Sequence, residues 1–205
     1  MAAGKAGPIA LLVALAAAGA FVAGRQSASV PGPAPSPGAP RLAAPAAPAA
    51  PVAVEAANIR VCFSPRGGCT DAIVAELDKA RESVLIQAYS FTSDRIAKAA
   101  VEAQRRGVKV RAVLDKSQRS EKFSELDFLA RAGIPTRVDS RHAIAHNKVM
   151  VIDGETVITG SFNFTKAAEE RNAENLLIIR DKKLAELYAA SWREHEEHSE
   201  AYAAK

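Results

Sequence analysis

The stretch HAIAHNKVMVIDGETVITGSFNF, His142 to Phe164, sets imidazoles, an ammonium, a hydroxyl and an amide around an apolar run. His146 and Lys148 fit badly in a core, so their place at the head of KVMVI asks for a chemical reason. Asp153-Gly154 between KVMVI and ETVIT is a strong hairpin signal. A two-residue turn there pairs Ile152 with Glu155, Met150 with Val157, Lys148 with Thr159 and His146 with Ser161. Opposed residues share a face, as do i and i+2. His146, Lys148, Ser161 and Asn163 therefore gather at the end remote from the turn. Lysine and amide donors at one mouth suit an anionic, oxygen-rich group, and a phosphodiester fits. A neutral imidazole can attack phosphorus, and a protonated one can donate to the leaving oxygen.

HNKVMVID matches H-x-K-x4-D, and the following GSFN matches G-S-x-N. With AYSFT upstream, GSFNFTKAAE and a later AEN, the chain resembles the phospholipase D superfamily over most of residues 58–200. The likeness is close to its small bacterial endonuclease branch. The resemblance implies a phospholipase D-like fold, a covalent phosphohistidine, no metal or other cofactor, and a site built from two copies of the motif. Carried over, His146 is the nucleophile or the acid, Lys148 and Asn163 bind phosphate, and Ser161 assists. Glu174 hydrogen-bonds His146 and fixes its tautomer. Asp153 carries the family letter, yet the hairpin register puts it in the turn, roughly 16 Å from Lys148 at strand rise. It is read as structural. One motif per chain supplies one histidine where two are required, so a homodimer with a shared site is expected.

The elements that must position these residues follow from periodicity and punctuation. Strands are expected at 59–63, 84–91, 108–114, around 135–138, through the hairpin and at 175–180. Helices are expected from Thr70 or Asp71 to about Arg81, from Ser93 or Asp94 to about Arg106, near 120–132, and from about Lys182 onward. The early β-α-β-α-β order implies parallel strands and the hairpin adds antiparallel ones. The expected class is α/β, a mixed sheet flanked by helices.

The chain has 205 residues, 48% hydrophobic and 24% charged, with a formal net charge of +4. Among residues 1–57 only Lys5, Arg25, Arg41 and Glu55 are charged, so the surplus divides evenly between that segment and the rest. Net charge is thus a weak argument for a nucleic-acid partner. Lys5 followed by an uncharged stretch at 6–24 reads as an export signal over 1–29, either a cleaved signal peptide or a retained membrane anchor. Residues 30–57, rich in Pro and Ala, read as a semi-rigid tether, and 58–205 as the phospholipase D-like nuclease domain. The expected location is exported, periplasmic or secreted, with a tether to the inner membrane through 6–24 if the segment is kept. In an oxidising compartment Cys62 and Cys69 are expected to form a disulfide.

Other polar residues are read as bland. His142 belongs at the pocket rim or in solvent. His195 and His198, in REHEEHSE, have i, i+3 spacing rather than the i, i+4 of zincin helices, and read as a solvated helix end. No metal site is expected. Lys116, Arg119 and Lys122 form a basic loop that either touches a nucleic-acid backbone or is simply solvated. Phe162 and Phe164 alternate with the site residues and belong to the core. The expected activity is metal-independent cleavage of DNA or RNA, with phospholipid headgroup hydrolysis as the alternative.

Overall fold

The computed structural model describes residues 58–204. The expected signal or anchor and the Pro/Ala tether lie outside the described residues. Among the described residues no helix is long and apolar enough to cross a membrane.

Eight strands form one sheet in the order β1-β7-β6-β5-β2-β3-β4-β8. The strands are β1 (Ile59–Ser64), β2 (Ser83–Ala88), β3 (Lys109–Asp115), β4 (Thr136–Asp139), β5 (Lys148–Ile152), β6 (Thr156–Gly160), β7 (Glu174–Arg180) and β8 (Glu200–Ala201). Strands β2, β3 and β4 run parallel and every other neighbour pair is antiparallel. The mixed α/β class is as expected. The helices are α1 (Cys69–Lys79), α2 (Asp94–Arg105), α3 (Leu126–Arg131), α4 (Lys166–Glu170) and α5 (Lys182–His198).

Alternation along the strands divides the interior between the two faces. Val84, Ile86, Met150, Ile152 and Ile158 join Ile73, Leu77, Ile96 and Leu129 of the helices in the larger core, and Phe162 and Phe164 belong to it as expected. Leu85, Val113, Val149, Val151 and Val157 meet Ala185, Ala189 and Trp192 of α5 on the other face. Trp192 is fully buried, and its indole Nε1–H donates to the carbonyl of Ile86 at 2.8 Å, so its one polar atom is satisfied.

Ser93 caps α2 through Ile96 N–H, and Asp181 caps α5 through Leu184 N–H. The cap expected at Thr70 or Asp71 is corrected. Residue Gly68 occupies the N-cap, at φ 77, without a side-chain bond. The Glu169 carboxylate replaces the missing cap, accepting from Gly68 N–H at 2.9 Å and Thr70 N–H at 2.7 Å. The helix expected near 120–132 is also shorter. A 3-10 turn at Lys116–Arg119 precedes it, and α3 begins only at Leu126.

Candidate active site

The parallel strands fix where side chains can converge. In open α/β sheets, sites form at the carboxyl ends of parallel strands. Tyr89 directly follows β2, and Lys148, which opens β5, pairs with Ala88 at the end of β2. Strand β6 runs antiparallel to β5 and β7 antiparallel to β6, so the end of β6 and the start of β7 reach the same edge. This brings His146, Lys148, Ser161, Asn163 and Glu174 to one edge of the sheet.

The hairpin achieves this with a register different from the one expected. Asp153 and Gly154 do form the turn, with φ 51 and 65, and Glu155 N–H donates to the carbonyl of Ile152. The ladder nevertheless pairs Ile152 with Thr156, Val151 with Val157 and Met150 with Ile158. Glu155 is an extra residue. Its carbonyl accepts from Asp181 N–H, while Asp153 N–H donates to the carbonyl of Ser83. Bonds to the strands on both sides thus hold the turn, and the slip of one residue moves every expected pairing.

His146 therefore does not face Ser161 across a ladder. Strand β5 begins only at Lys148 and β6 ends at Gly160, so His146, Ser161 and Asn163 lie just beyond the strands. Gly160 makes the departure feasible. At φ 145, a Cβ there would sit 2.3 Å from the carbonyl oxygen of Asn175. Phe162 N–H then donates to that same carbonyl, and the Ser161 hydroxyl oxygen accepts from Asn175 N–H at 3.0 Å. The Ser161 O–H remains available to donate elsewhere.

Lys148 is 6% exposed. Its ammonium donates to the carbonyl of His146 at 3.0 Å and lies 5.2 Å from the centroid of the Tyr89 ring. Among the described residues it has no carboxylate in ion-pair contact. Burial pushes its pKa down, opposed by the charge of Glu174. The His146 imidazole is exposed and packs on Tyr89, with ring centroids 4.6 Å apart. The Oδ1 atom of Asn163 is buried without a partner among the described residues. An amide's oxygen and nitrogen exchange by a half-turn, so this position offers either an unfilled acceptor or an unfilled donor.

The expected bond from His146 to Glu174 is absent. Glu174 accepts from the Asn172 side chain at 3.1 Å instead. The two residues are close in sequence and Asn172 lies on the exposed approach to β7, so the local bond captures the carboxylate. Asp153 sits at the opposite edge. Its carboxylate accepts from the backbone N–H groups of Arg81, Glu82 and Ser83 at 2.9, 2.8 and 2.9 Å. It ties the hairpin turn to the segment entering β2.

Cys62 and Cys69 are free, buried thiols in this structure rather than a disulfide. Each thiol is the main influence on the other's ionisation, through a side-chain hydrogen bond. That bond from Cys69 lowers the Cys62 thiol to about 7 and pushes Cys69 up. The basic loop is partly committed within the chain, since Lys116 donates to the carbonyl of His142 and Arg119 to Glu200.

Two features escaped the sequence reading. Tyr89 lies under His146 and beside Lys148; an aromatic at the carboxyl end of a parallel strand was the available signal. The second is a cluster of His142, His195, His198 and Asp139. The expectation of a solvated helix end is overturned, because the His195 and His198 side chains are only 18% and 16% exposed. All three imidazoles touch the fully buried Asp139 carboxylate, and His142, itself 44% exposed, is tethered to it. Burial works to raise that carboxyl's pKa. The hydrogen bonds of His195, His142 and His198 outweigh it and hold Asp139 well below the usual carboxylate range.

The family model described as "Cardiolipin synthase, PLD-like domain" matches residues 73–195. The chain belongs to the phospholipase D superfamily. A Rickettsia prowazekii protein named phospholipase D is 50% identical over 135 residues, which cover 66% of this chain and 66% of that protein. The match thus spans just under two thirds of this relative's length. The solved structure of Nuc from Salmonella typhimurium, a phospholipase D family member, superposes with a TM-score of 0.69. It is 40% identical, covering 71% of this chain and 98% of Nuc. NucT from Helicobacter pylori gives a TM-score of 0.64 at 25% identity, covering 70% and 99%. These matches put the chain in the small, single-motif branch of the superfamily, whose chemistry is phosphodiester cleavage.

Proposed function

We propose that this chain is an exported, metal-independent endonuclease that cleaves DNA or RNA through a phosphohistidine formed on His146. The observation that carries the reading is Lys148: a buried ammonium with no carboxylate in ion-pair contact among the described residues, beside an exposed imidazole, is a cation waiting for an anion. A phosphodiester supplies that charge. Lys148, the Ser161 hydroxyl and the Asn163 amide donate to its non-bridging oxygens, where charge grows in the transition state. His146 attacks phosphorus and the ester oxygen leaves with a proton from His146 of the partner subunit. That second imidazole, now neutral, takes a proton from water as the water attacks the phosphohistidine. The phosphate is released and the first imidazole is restored.

A second copy of the chain is required because entering nitrogen and leaving oxygen lie on opposite sides of phosphorus. Exposed apolar side chains support an interface at this edge. Ile144 precedes His146 by two residues, and Phe63 pairs across the sheet with Asn175. The similarity to a protein named phospholipase D supports a second reading, hydrolysis of phospholipid headgroups by the same residues. The test is the purified full chain on plasmid DNA, on RNA and on phospholipid vesicles, each with EDTA. Nicking of nucleic acid that persists in chelator is expected. Release of headgroup alone favours the second reading, and activity that returns only with magnesium overturns the metal-free route.

A further inference from the structure

Asp139 ends β4, His142 lies in the loop that follows, and His195 and His198 close the last turn of α5. From the Asp139 Oδ2 atom, the His195 Nδ1 atom is 2.8 Å away, His142 Nδ1 2.9 Å and His198 Nε2 3.2 Å. The four atoms all lie within 4.8 Å of one another. Residues i and i+3 share a helix face, so His195 and His198 aim together although the spacing is not i, i+4.

Hydrogen bonding alone accounts poorly for this convergence. The other carboxylate oxygen, Oδ1, already accepts from the backbone N–H groups of Arg141 and His142. Three imidazoles are then left to donate to a single oxygen with two lone pairs. The three rings also crowd one another, with centroids 4.9, 5.1 and 5.2 Å apart. A cation removes both difficulties, because each nitrogen then offers a lone pair instead of a proton. At zinc–nitrogen distances of about 2.0–2.1 Å, the ligand atoms of a tetrahedron stand roughly 3.3 Å apart. The three distances from Asp139 are already within a few tenths of an ångström to half an ångström of that edge.

We propose that Asp139, His142, His195 and His198 form a zinc-binding site, separate from the phosphodiester site and structural in role. Three imidazoles and one carboxylate are a four-ligand tetrahedral set that suits zinc among the divalent cations. The backbone bonds to Oδ1 are the outer contacts that orient the ligating oxygen. Glu194, Glu197 and Arg141 stand with the histidines around the opening, two carboxylates against one guanidinium, a balance that favours entry of a cation. Bound there, zinc clips the end of α5 to the loop after β4. That loop is also held by Lys116 at the His142 carbonyl and by Ala145 N–H donating to Asp115, and it runs directly into His146. The clip fixes the segment that delivers the nucleophile and takes no part in the chemistry at phosphorus.

The full chain, stripped with chelator and returned to chelator-free buffer, is dialysed against micromolar zinc and its metal content measured. About one zinc per chain is expected, with a melting point raised by at least about 3 °C. Cobalt in place of zinc should give the intense visible bands of a tetrahedral centre. The His146→Ala chain should bind like wild type, which separates this site from the catalytic edge. His195→Ala combined with His198→Ala should weaken binding at least about tenfold and abolish the melting shift. His142→Gln, on the exposed loop, tests the site without risk to the core. Less than roughly a tenth of an equivalent of zinc on folded wild-type chain overturns the proposal. So does unchanged affinity in the cluster variants, or loss of the metal in His146→Ala alone.

Discussion

Replacing Asp153 separates a structural from a catalytic role for the motif's aspartate. Asp153→Ala removes an acceptor of three backbone hydrogen bonds, from Arg81, Glu82 and Ser83. Bonds to a charged acceptor contribute about 1.5–3 kcal/mol each when sheltered, and about 1 each is reasonable at this half-exposed turn. Alanine at φ 51 adds about 1 kcal/mol, because a Cβ without a polar side chain tolerates the left-handed region less well. The total is about 4 kcal/mol. At roughly 3 °C per kcal/mol for a domain of this size, the melting point should fall by about 12 °C. Asp153→Asn keeps the turn conformation and one carbonyl acceptor, so about half that loss is expected. Because Asp153 lies at the edge opposite His146, kcat for both variants, measured well below melting, should stay within about threefold of wild type. The assay is calorimetry beside plasmid nicking at 25 °C. A loss of kcat of about a hundredfold with an unchanged melting point would refute the structural assignment.

Lys148→Met should abolish cleavage yet raise the melting point by a few degrees at neutral pH. Burial lowers the pKa of this lysine, so the unfolded chain holds more protons between the lowered and the ordinary value. Stability then rises with pH across that window, and below it the buried ammonium is a cost that methionine removes; a fall in melting point would contradict this. His146→Ala should leave the domain folded with less than about a tenth of the wild-type rate. Added in excess to wild-type chains under exchange, it should depress activity per wild-type chain steeply. Activity proportional to wild-type chains would mean that each chain holds a complete site. Mild oxidation should join Cys62 to Cys69, read by mass spectrometry with and without reduction, and stabilise the chain by about 2–3 kcal/mol. Two free thiols after oxidation of the folded chain would count against the pairing.

Local rules made a large part of this protein legible. Asp-Gly between two apolar runs announced the hairpin, Ser93 and the residues after Arg180 announced helices, and the β-α-β-α-β order announced a mixed sheet. His146, Lys148, Ser161 and Asn163 were legible as a group because they lie within one hairpin's length of each other. Tertiary structure alone decided the register, since Asp153 and Glu155 are bonded to the strands on either side and not only within their own turn. It also decided the cap of α1, which comes from Glu169, about a hundred residues away in the chain. The same holds for Tyr89 under His146 and for the histidines gathered on Asp139. Periodicity reports which way a residue faces within its own element. Which residue of another element it meets depends on how the sheet orders its strands and where a distant helix ends, and those are fixed only when the whole chain packs.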